Sequence, residues 1–339
     1  MVNKSVGLYN VIDEEGIVKS INNVLNSEVD FNKYTSPKGL KELRMEIKKL
    51  LNNIWNYNVN YKNILISTGS QQSINLIAYS LLNENDNVLI EQPTYFGAIS
   101  VFKKRKANLI GMDLTEDGFD LNILEEKIIK YRPKLIYVTP TFNNPTGYSW
   151  SNDYRKKFLE IINRYDVLVI EDDPYSLINF TNVEYKSLYE LNKGRNIVYL
   201  GTFSKYISPS INIGYILSNS TLIDKLYLYK ESFDLNTSMF NQIVILDYLK
   251  NNNIEEKVKD KIVVYRKLLE ETTEYIEQVY GKCILDCSKV KGGIFIYLKF
   301  KDKIDNRIFE SGNKYFIDKN HDKETRINIC CFLKNCEIL

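Results

Sequence analysis

An α/β fold is predicted, with a mainly parallel sheet covered by helices on both faces and a smaller α+β unit following it. Three features carry this expectation. Between about residue 60 and residue 220, short apolar runs alternate with longer amphipathic segments. The runs are β-branched and apolar on both alternations, as suits strands buried on both faces. After about residue 220 the texture changes to long amphipathic stretches followed by two isolated apolar runs. At 339 residues the chain is long enough for two lobes.

The elements are read in order. Residues 63–67 (Asn-Ile-Leu-Ile-Ser) form a first strand, followed by a helix over 71–82. A second strand over 87–91 leads into the segment 95–102, and a third over 134–138 precedes a helix over 151–165. Strands follow at 166–170 and 196–200. Helices between such strands cover the two sides of the sheet. Beyond them, 222–248 and 254–280 read as long helices, and 292–300 and 326–332 as strands. No repeat, low-complexity tract or Pro/Gly-rich linker divides the chain, so a continuous helix is expected to join the lobes.

Composition excludes several functions. Forty-five basic against 43 acidic side chains leave a formal charge of +2, which gives no reason to expect nucleic acid or an anionic membrane as partner. No apolar stretch approaches the ~18 residues of a membrane helix. The first residues carry Asp13, Glu14 and Glu15 where a signal peptide needs an apolar core. A cytoplasmic protein is expected. The cysteines, Cys283, Cys287, Cys330, Cys331 and Cys336, contain no CxxC pair and read as reduced, mostly buried small hydrophobes. No metal site is expected. The single histidine, His321, sits among charges and reads as part of a solvated loop, so proton transfer must fall to lysine, carboxylate or tyrosine.

Chemistry is expected at the carboxyl ends of the strands, where open α/β sheets bind ligands. Ser67-Thr-Gly-Ser-Gln-Gln72 leaves a strand and opens a helix, so its backbone N–H groups and the Ser70 hydroxyl suit a phosphate. An N-capped helix after a tight turn accounts for it equally well. Asn144-Pro145-Thr146-Gly147 is either a plain turn or a rigidly held side-chain donor. Ile170-Glu-Asp-Asp-Pro-Tyr175 offers a carboxylate for a protonated ring nitrogen and a tyrosine beside it, or a helix cap. Gly201-Thr-Phe-Ser-Lys205 offers an amine with hydroxyls next to it, or a solvent lysine. Taken together, a phosphate cradle, a carboxylate, phenolic-oxygen donors and an amine are the parts that pyridoxal phosphate requires.

With these motifs in hand the sequence resembles the fold-type I pyridoxal-phosphate aminotransferases. Within them it is most similar to the subgroup of 2-aminoadipate and kynurenine aminotransferases and the aminotransferase-like domains of GntR-type regulators. The resemblance runs from Tyr34 to Phe332. It rests on Tyr34-Thr-Ser-Pro-Lys-Gly39, Thr68-Gly-Ser-Gln-Gln72, Gln92-Pro-Thr-Tyr95, Asn143-Asn-Pro-Thr-Gly147, Glu171-Asp-Asp-Pro-Tyr175, Thr202-Phe-Ser-Lys205, Gly292-Gly-Ile-Phe295 and Arg326-Ile-Asn328.

The resemblance implies a seven-stranded sheet in a large cofactor-binding unit over 36–250, a small unit over 251–339, and an N-terminal segment over 1–35 packing with the small unit. It implies that Lys205 forms a Schiff base with the cofactor and later carries the proton, that Asp172 pairs with the ring nitrogen, and that Tyr95 stacks on the ring. Asn144 and Tyr175 would bond the phenolic oxygen. Ser70, Gln71, Thr202 and Ser204 would hold the phosphate, helped by Tyr34 from the other subunit of a homodimer. Arg326 would grip the substrate α-carboxylate bidentately, with Asn144 beside it. The substrates implied are an amino acid and a 2-oxo acid.

The sequence departs from the family after its lysine. Asn212 stands where the family places a phosphate-binding arginine, and Ser210 replaces a glycine. Losing that charge-assisted bond costs ~1.5–3 kcal/mol, roughly one to two decades in cofactor affinity. Val290 replaces a proline before the Gly-Gly pair, and the N-terminal arm is short. Transamination is the leading expectation. Elimination or decarboxylation on the same scaffold is an alternative, and so is a non-catalytic effector-binding domain. Against the last stand the lack of a basic patch and of an N-terminal segment long enough for a winged-helix module.

Overall fold

The computed structural model describes residues 13–305, 309–318 and 320–332. Two helices, α1 (Glu14–Leu25) and α2 (Lys41–Trp55), precede the first strand, β1 (Ile64–Ser67). Then follow α3 (Gly69–Leu81), β2 (Asn87–Gln92), α4 (Phe96–Lys104), β3 (Asn108–Asp113), α5 (Leu121–Tyr131), β4 (Leu135–Val138), α6 (Asn152–Tyr165) and β5 (Leu168–Asp173). The short α7 (Leu188–Leu191) leads to β6 (Ile197–Thr202) and β7 (Gly214–Leu217). Among the described residues these strands make one seven-stranded sheet in the order β1-β7-β6-β5-β4-β2-β3, with β7 antiparallel to both neighbours.

The sheet is parallel elsewhere because each strand returns through a helix that packs on one of its faces. Leu65, Val88, Ile90, Leu135, Ile170 and Val198 meet α3, α4 and the following helix α8 (Ser220–Asp234) on one side. Ile64, Ile66, Leu89, Ile136, Val169 and Ile197 point to the opposite core. Strands β1, β4, β6 and β7 are buried throughout, which is why their sequences show no polar alternation.

Beyond α8 the structure corrects the sequence reading of one helix over 222–248. Leu235 takes φ +58°, and Ser238 caps a new helix, α9 (Met239–Asn251), by accepting from Asn241 N–H. A Ser cap in otherwise helix-compatible sequence starts a second axis without interrupting the apolar periodicity. Asn253 then caps the 27-residue α10 (Ile254–Tyr280), which feeds a second sheet of β8 (Ile284–Cys287), β9 (Phe295–Phe300) and β10 (Glu324–Asn328) in the order β10-β9-β8. The strands expected at 292–300 and 326–332 are shorter. Gly292 and Gly293 precede β9, and Cys330 and Cys331 lie in a turn beyond β10.

Contacts between the two sheets are close. Gly292 lies where a Cβ would meet Phe142 at 2.3 Å and the Ile178 carbonyl at 2.5 Å, so only glycine lets the strand approach. The N-terminal α1 packs on α9, with Tyr248 donating to Asp13 (2.8 Å) and Asn23 to Asp247 (3.1 Å). Cys283, in the turn before β8, and Cys287, on that edge strand, are exposed rather than buried; Cys330 and Cys331 are buried. Cys336 lies outside the described residues. His321 is half-buried rather than solvated, stacked on Phe316 and flanked by Asp318 and Glu324. No helix among the described residues is long and apolar enough to cross a membrane.

Candidate active site

The parallel strands β2, β4, β5 and β6 end together, and a cavity of about 240 Å³ opens there. Strand β5 ends in Glu171, Asp172 and Asp173, and the alternation of side chains along a strand sends them to different places. Glu171 turns from the cleft and accepts from the Leu188 and Tyr189 N–H groups at the start of α7 (2.8 and 2.9 Å). Asp173 accepts from the Tyr199 hydroxyl at 2.8 Å. Asp172 alone of the three lines the cleft. Its Oδ2 accepts from the Tyr137 hydroxyl at 2.6 Å, and its Oδ1 is buried with no hydrogen-bond partner. Burial pushes its pKa up to about 6, against the lowering effect of Tyr137, while the neighbouring Asp173 adds to the rise.

One wall is the turn from β1 into α3. Gly69 has φ +74°, and a Cβ there would meet Asn212 Oδ1 at 2.6 Å. The backbone therefore comes close to Asn212, and the first N–H groups of α3 lie at the cleft wall without intrahelical partners. The Ser70 hydroxyl beside them is buried, makes no well-formed hydrogen bond, and stands near enough to Asp172 to lower its pKa. Facing it are Thr202 and Ser204, joined by a 3.1 Å bond between their hydroxyls.

Lys205 follows Ser204 and is half-buried, and its pKa is lowered, first by burial and then by the Arg326 charge. The Tyr95 hydroxyl donates to Gln71 Oε1 at 2.9 Å, and burial pushes its pKa up to about 12. Tyr175 is buried edge-on against Phe295, with ring centroids 5.6 Å apart. From the second sheet, Arg326 reaches across and donates from Nη1 to Asn144 Oδ1 at 2.8 Å. Its guanidinium lies 4.1 Å from the Phe295 ring centroid and 5.2 Å from that of Tyr315, and Glu310 stands 3.9 Å from Nη2.

The cleft thus gathers Ser70, Gln71, Tyr95, Asn144, Asp172 and Tyr175 with Thr202, Ser204, Lys205 and Arg326. Tyr34 is not among its lining residues and is 88% exposed. Sequence reasoning missed Tyr137, whose only signal was a polar-tipped residue in a four-residue strand buried end to end. It also missed Gln72, whose side chain returns to the Thr68 N–H at 2.8 Å, and Tyr315, which faces Arg326.

Pyridoxal phosphate fits this donor set. The two buried unpartnered atoms, Ser70 Oγ and Asp172 Oδ1, are an acceptor-seeking hydroxyl and a donor-seeking carboxylate in one cavity. They suit a phosphate and a protonated ring nitrogen.

Comparison with known proteins agrees. The aminotransferase class I and II family matches residues 5–329. An uncharacterised aminotransferase of Saccharolobus solfataricus is 30% identical over 321 residues, covering 90% of this chain and 80% of the relative. The kynurenine aminotransferase of Pyrococcus horikoshii, solved with PMP, superposes with a TM-score of 0.87 at 29% identity, over 94% of this chain and 83% of that one. The α-aminoadipate aminotransferase of Thermus thermophilus, solved with N-(5'-phosphopyridoxyl)-L-leucine, gives 0.89 at 26% identity, over 96% and 85%. The chain belongs to the aminotransferase class I and II family, and is a fold-type I, pyridoxal-phosphate-dependent aminotransferase.

Proposed function

We propose that the cleft transfers an amino group between an α-amino acid and a 2-oxo acid with each lining residue in a definite role. The observation that carries this reading is the convergence of Lys205, the unpartnered Asp172 Oδ1 and Arg326 on one cavity. Bound pyridoxal phosphate supplies a sink for the electrons left at the substrate Cα.

The chain's own residues do the rest. Lys205 Nζ would hold the cofactor through its aldehyde, with loss of water, and when displaced by substrate would be the base placed to take the proton from the substrate Cα. Its lowered pKa keeps more of it in the basic form. Asp172 Oδ1 accepts the ring N–H and holds that proton in place. Tyr95 would pack on the ring, and Asn144 and Tyr175 would donate to the phenolic oxygen. Ser70, Gln71, Thr202, Ser204 and the N–H groups of α3 hold the phosphate. Arg326, kept in its orientation by Asn144, Phe295 and Tyr315, binds the α-carboxylate with two parallel N–H groups.

The oligomer is a homodimer in this reading. Tyr34 is a large aromatic side chain left in solvent, and its place in the motif shared with the family assigns it to the phosphate of the partner's site. The cytoplasm is the compartment in which the exposed Cys283 and Cys287 thiols stay reduced. Borohydride treatment of the holoenzyme tests the central role. Wild type is expected to retain the cofactor covalently through denaturation while Lys205→Ala releases it and loses at least ~10³-fold in turnover. Equal retention by the two proteins refutes the assignment.

A further inference from the structure

Lys230 on α8 is fully buried, does not line the cleft, and has no part in the reaction described above. Its ammonium meets Asp234 one turn later, at 2.8 and 2.9 Å to the two carboxylate oxygens. It also donates to Gln72 Oε1 at 3.3 Å. Gln72 Nε2 in turn donates to Asp234 Oδ2 at 2.5 Å. The amide can therefore sit only one way round. Flipping it would set its NH2 against the ammonium and its carbonyl against the carboxylate.

That orientation matters to the cleft. Gln72 Oε1, held toward Lys230, also accepts the Thr68 N–H at 2.8 Å. Thr68 is the cap of α3 and makes no cap bond with its own side chain, so Gln72 ties the turn between β1 and α3. Ser70 and Gln71 are the next cleft residues, and Gln71 holds the Tyr95 hydroxyl. A continuous line of contacts thus runs from α8 through Gln72 to the residues around the cofactor. A buried ion pair is a poor way to gain stability, since an apolar side chain of similar volume often does as well. Its use here is directional.

We infer that Lys230 and Asp234 are positioning residues for the cofactor phosphate, acting through Gln72 to hold the β1–α3 turn in the shape that presents Ser70. With Asn212 where an arginine would add charge, the cradle depends on the geometry of neutral donors. The inference rests on the reading that the Ser70 end of the cleft takes the phosphate, and the experiment separates the two.

Apoenzyme is titrated with pyridoxal phosphate for wild type, Gln72→Met, Lys230→Met, Asp234→Asn and Ser70→Ala. The ³¹P resonance of the bound cofactor and the amino-acid KM at saturating cofactor are recorded for each. Gln72→Met and Lys230→Met are expected to raise the cofactor Kd about tenfold, and Asp234→Asn about threefold. The ³¹P signal should shift and the amino-acid KM should stay within about twofold, a split that general loss of packing would not give. If Ser70→Ala weakens binding while the other three bind like wild type with an unmoved ³¹P signal, the positioning role is overturned and the cradle stands. If Ser70→Ala binds like wild type, the cradle reading fails and this inference with it. Should Lys230→Met not fold, Gln72→Met and the partly exposed Asp234→Asn decide.

Discussion

The Tyr137 hydroxyl donates to Asp172 Oδ2 at 2.6 Å and leaves Oδ1 buried without a partner, so one oxygen is fixed and the other is aimed into the cleft. The bond also lowers the Asp172 pKa against the burial that holds it near 6. Tyr137→Phe removes that lowering, and the pKa rises further. Association of apoenzyme with pyridoxal phosphate requires ionised Asp172 in this reading, so it falls as pH drops through the Asp172 pKa. In the variant the fall is expected at higher pH, with about a tenfold loss in turnover near neutrality. Spectrophotometric titration from about pH 5 to about pH 8 reads the limb, and an unmoved limb counts against the arrangement.

Arg326 carries two interactions that lysine cannot copy: a planar fork and a face that packs between Phe295 and Tyr315. Arg326→Lys is expected to raise the amino-acid KM by about 10- to 100-fold while changing kcat less, because the lost bonds serve substrate binding before the chemistry. Steady-state kinetics at saturating cofactor make the comparison. A fall in kcat at constant KM would contradict the carboxylate role.

Asn212 lies against Gly69 with φ +49°. Asn212→Arg gains a charge-assisted phosphate bond worth ~1.5–3 kcal/mol. It also places a long side chain in the left-handed region, at a cost of roughly 1–2 kcal/mol. That strain is present with and without cofactor and cancels from the affinity, so the cofactor Kd is expected to fall by about 10- to 100-fold. Equilibrium dialysis measures it, and weaker binding in the variant would place the phosphate elsewhere.

Glu91 on β2 is fully buried and accepts from Thr139 N–H (2.8 Å) and Asn143 Nδ2 (2.9 Å) through one oxygen. Burial pushes its pKa up from 4.5 to about 8, so the folded state holds its proton more tightly than the unfolded chain. The stability this contributes is complete below about pH 4.5 and is lost as pH rises through about 8. Glu91→Gln keeps an acceptor for both donors and cannot ionise. Thermal unfolding of the apoenzyme is expected to weaken less from pH ~5 to pH ~8 in the variant, by at most ~1.4 kcal/mol per pH unit. Parallel curves for the two proteins would show that Glu91 does not titrate there.

Most of the sheet was legible because a strand buried on both faces has an apolar run, as β1, β2, β4, β5 and β6 do before the residues at their carboxyl ends. Strands β3 and β7 were not: β3 is an edge strand carrying Asn108, Gly111 and Asp113 and lacks that signature, and β7 is only four residues long and opens on a glycine. The break between α8 and α9 escaped as well, because a capping serine leaves the helical period intact on either side.

The sequence by itself determined that the reactive side chains follow strands, and hence that they assemble at one edge of the sheet. It also placed Lys205, Asp172, Ser70 and Arg326 in motifs whose order identifies the family. Only the tertiary structure decided which way each side chain faces. Glu171, Asp172 and Asp173 are consecutive carboxylates, and the sheet's packing, not their identity, turns Asp172 alone into the cleft. Arg326 and Asn144 meet across 182 residues, and Lys230 becomes a buried partner of Gln72 through the docking of α8 on α3. Local periodicity follows from covalent geometry and so can be read along the chain. Parity, burial and long-range pairing are settled when whole elements pack, and no short stretch of sequence contains them.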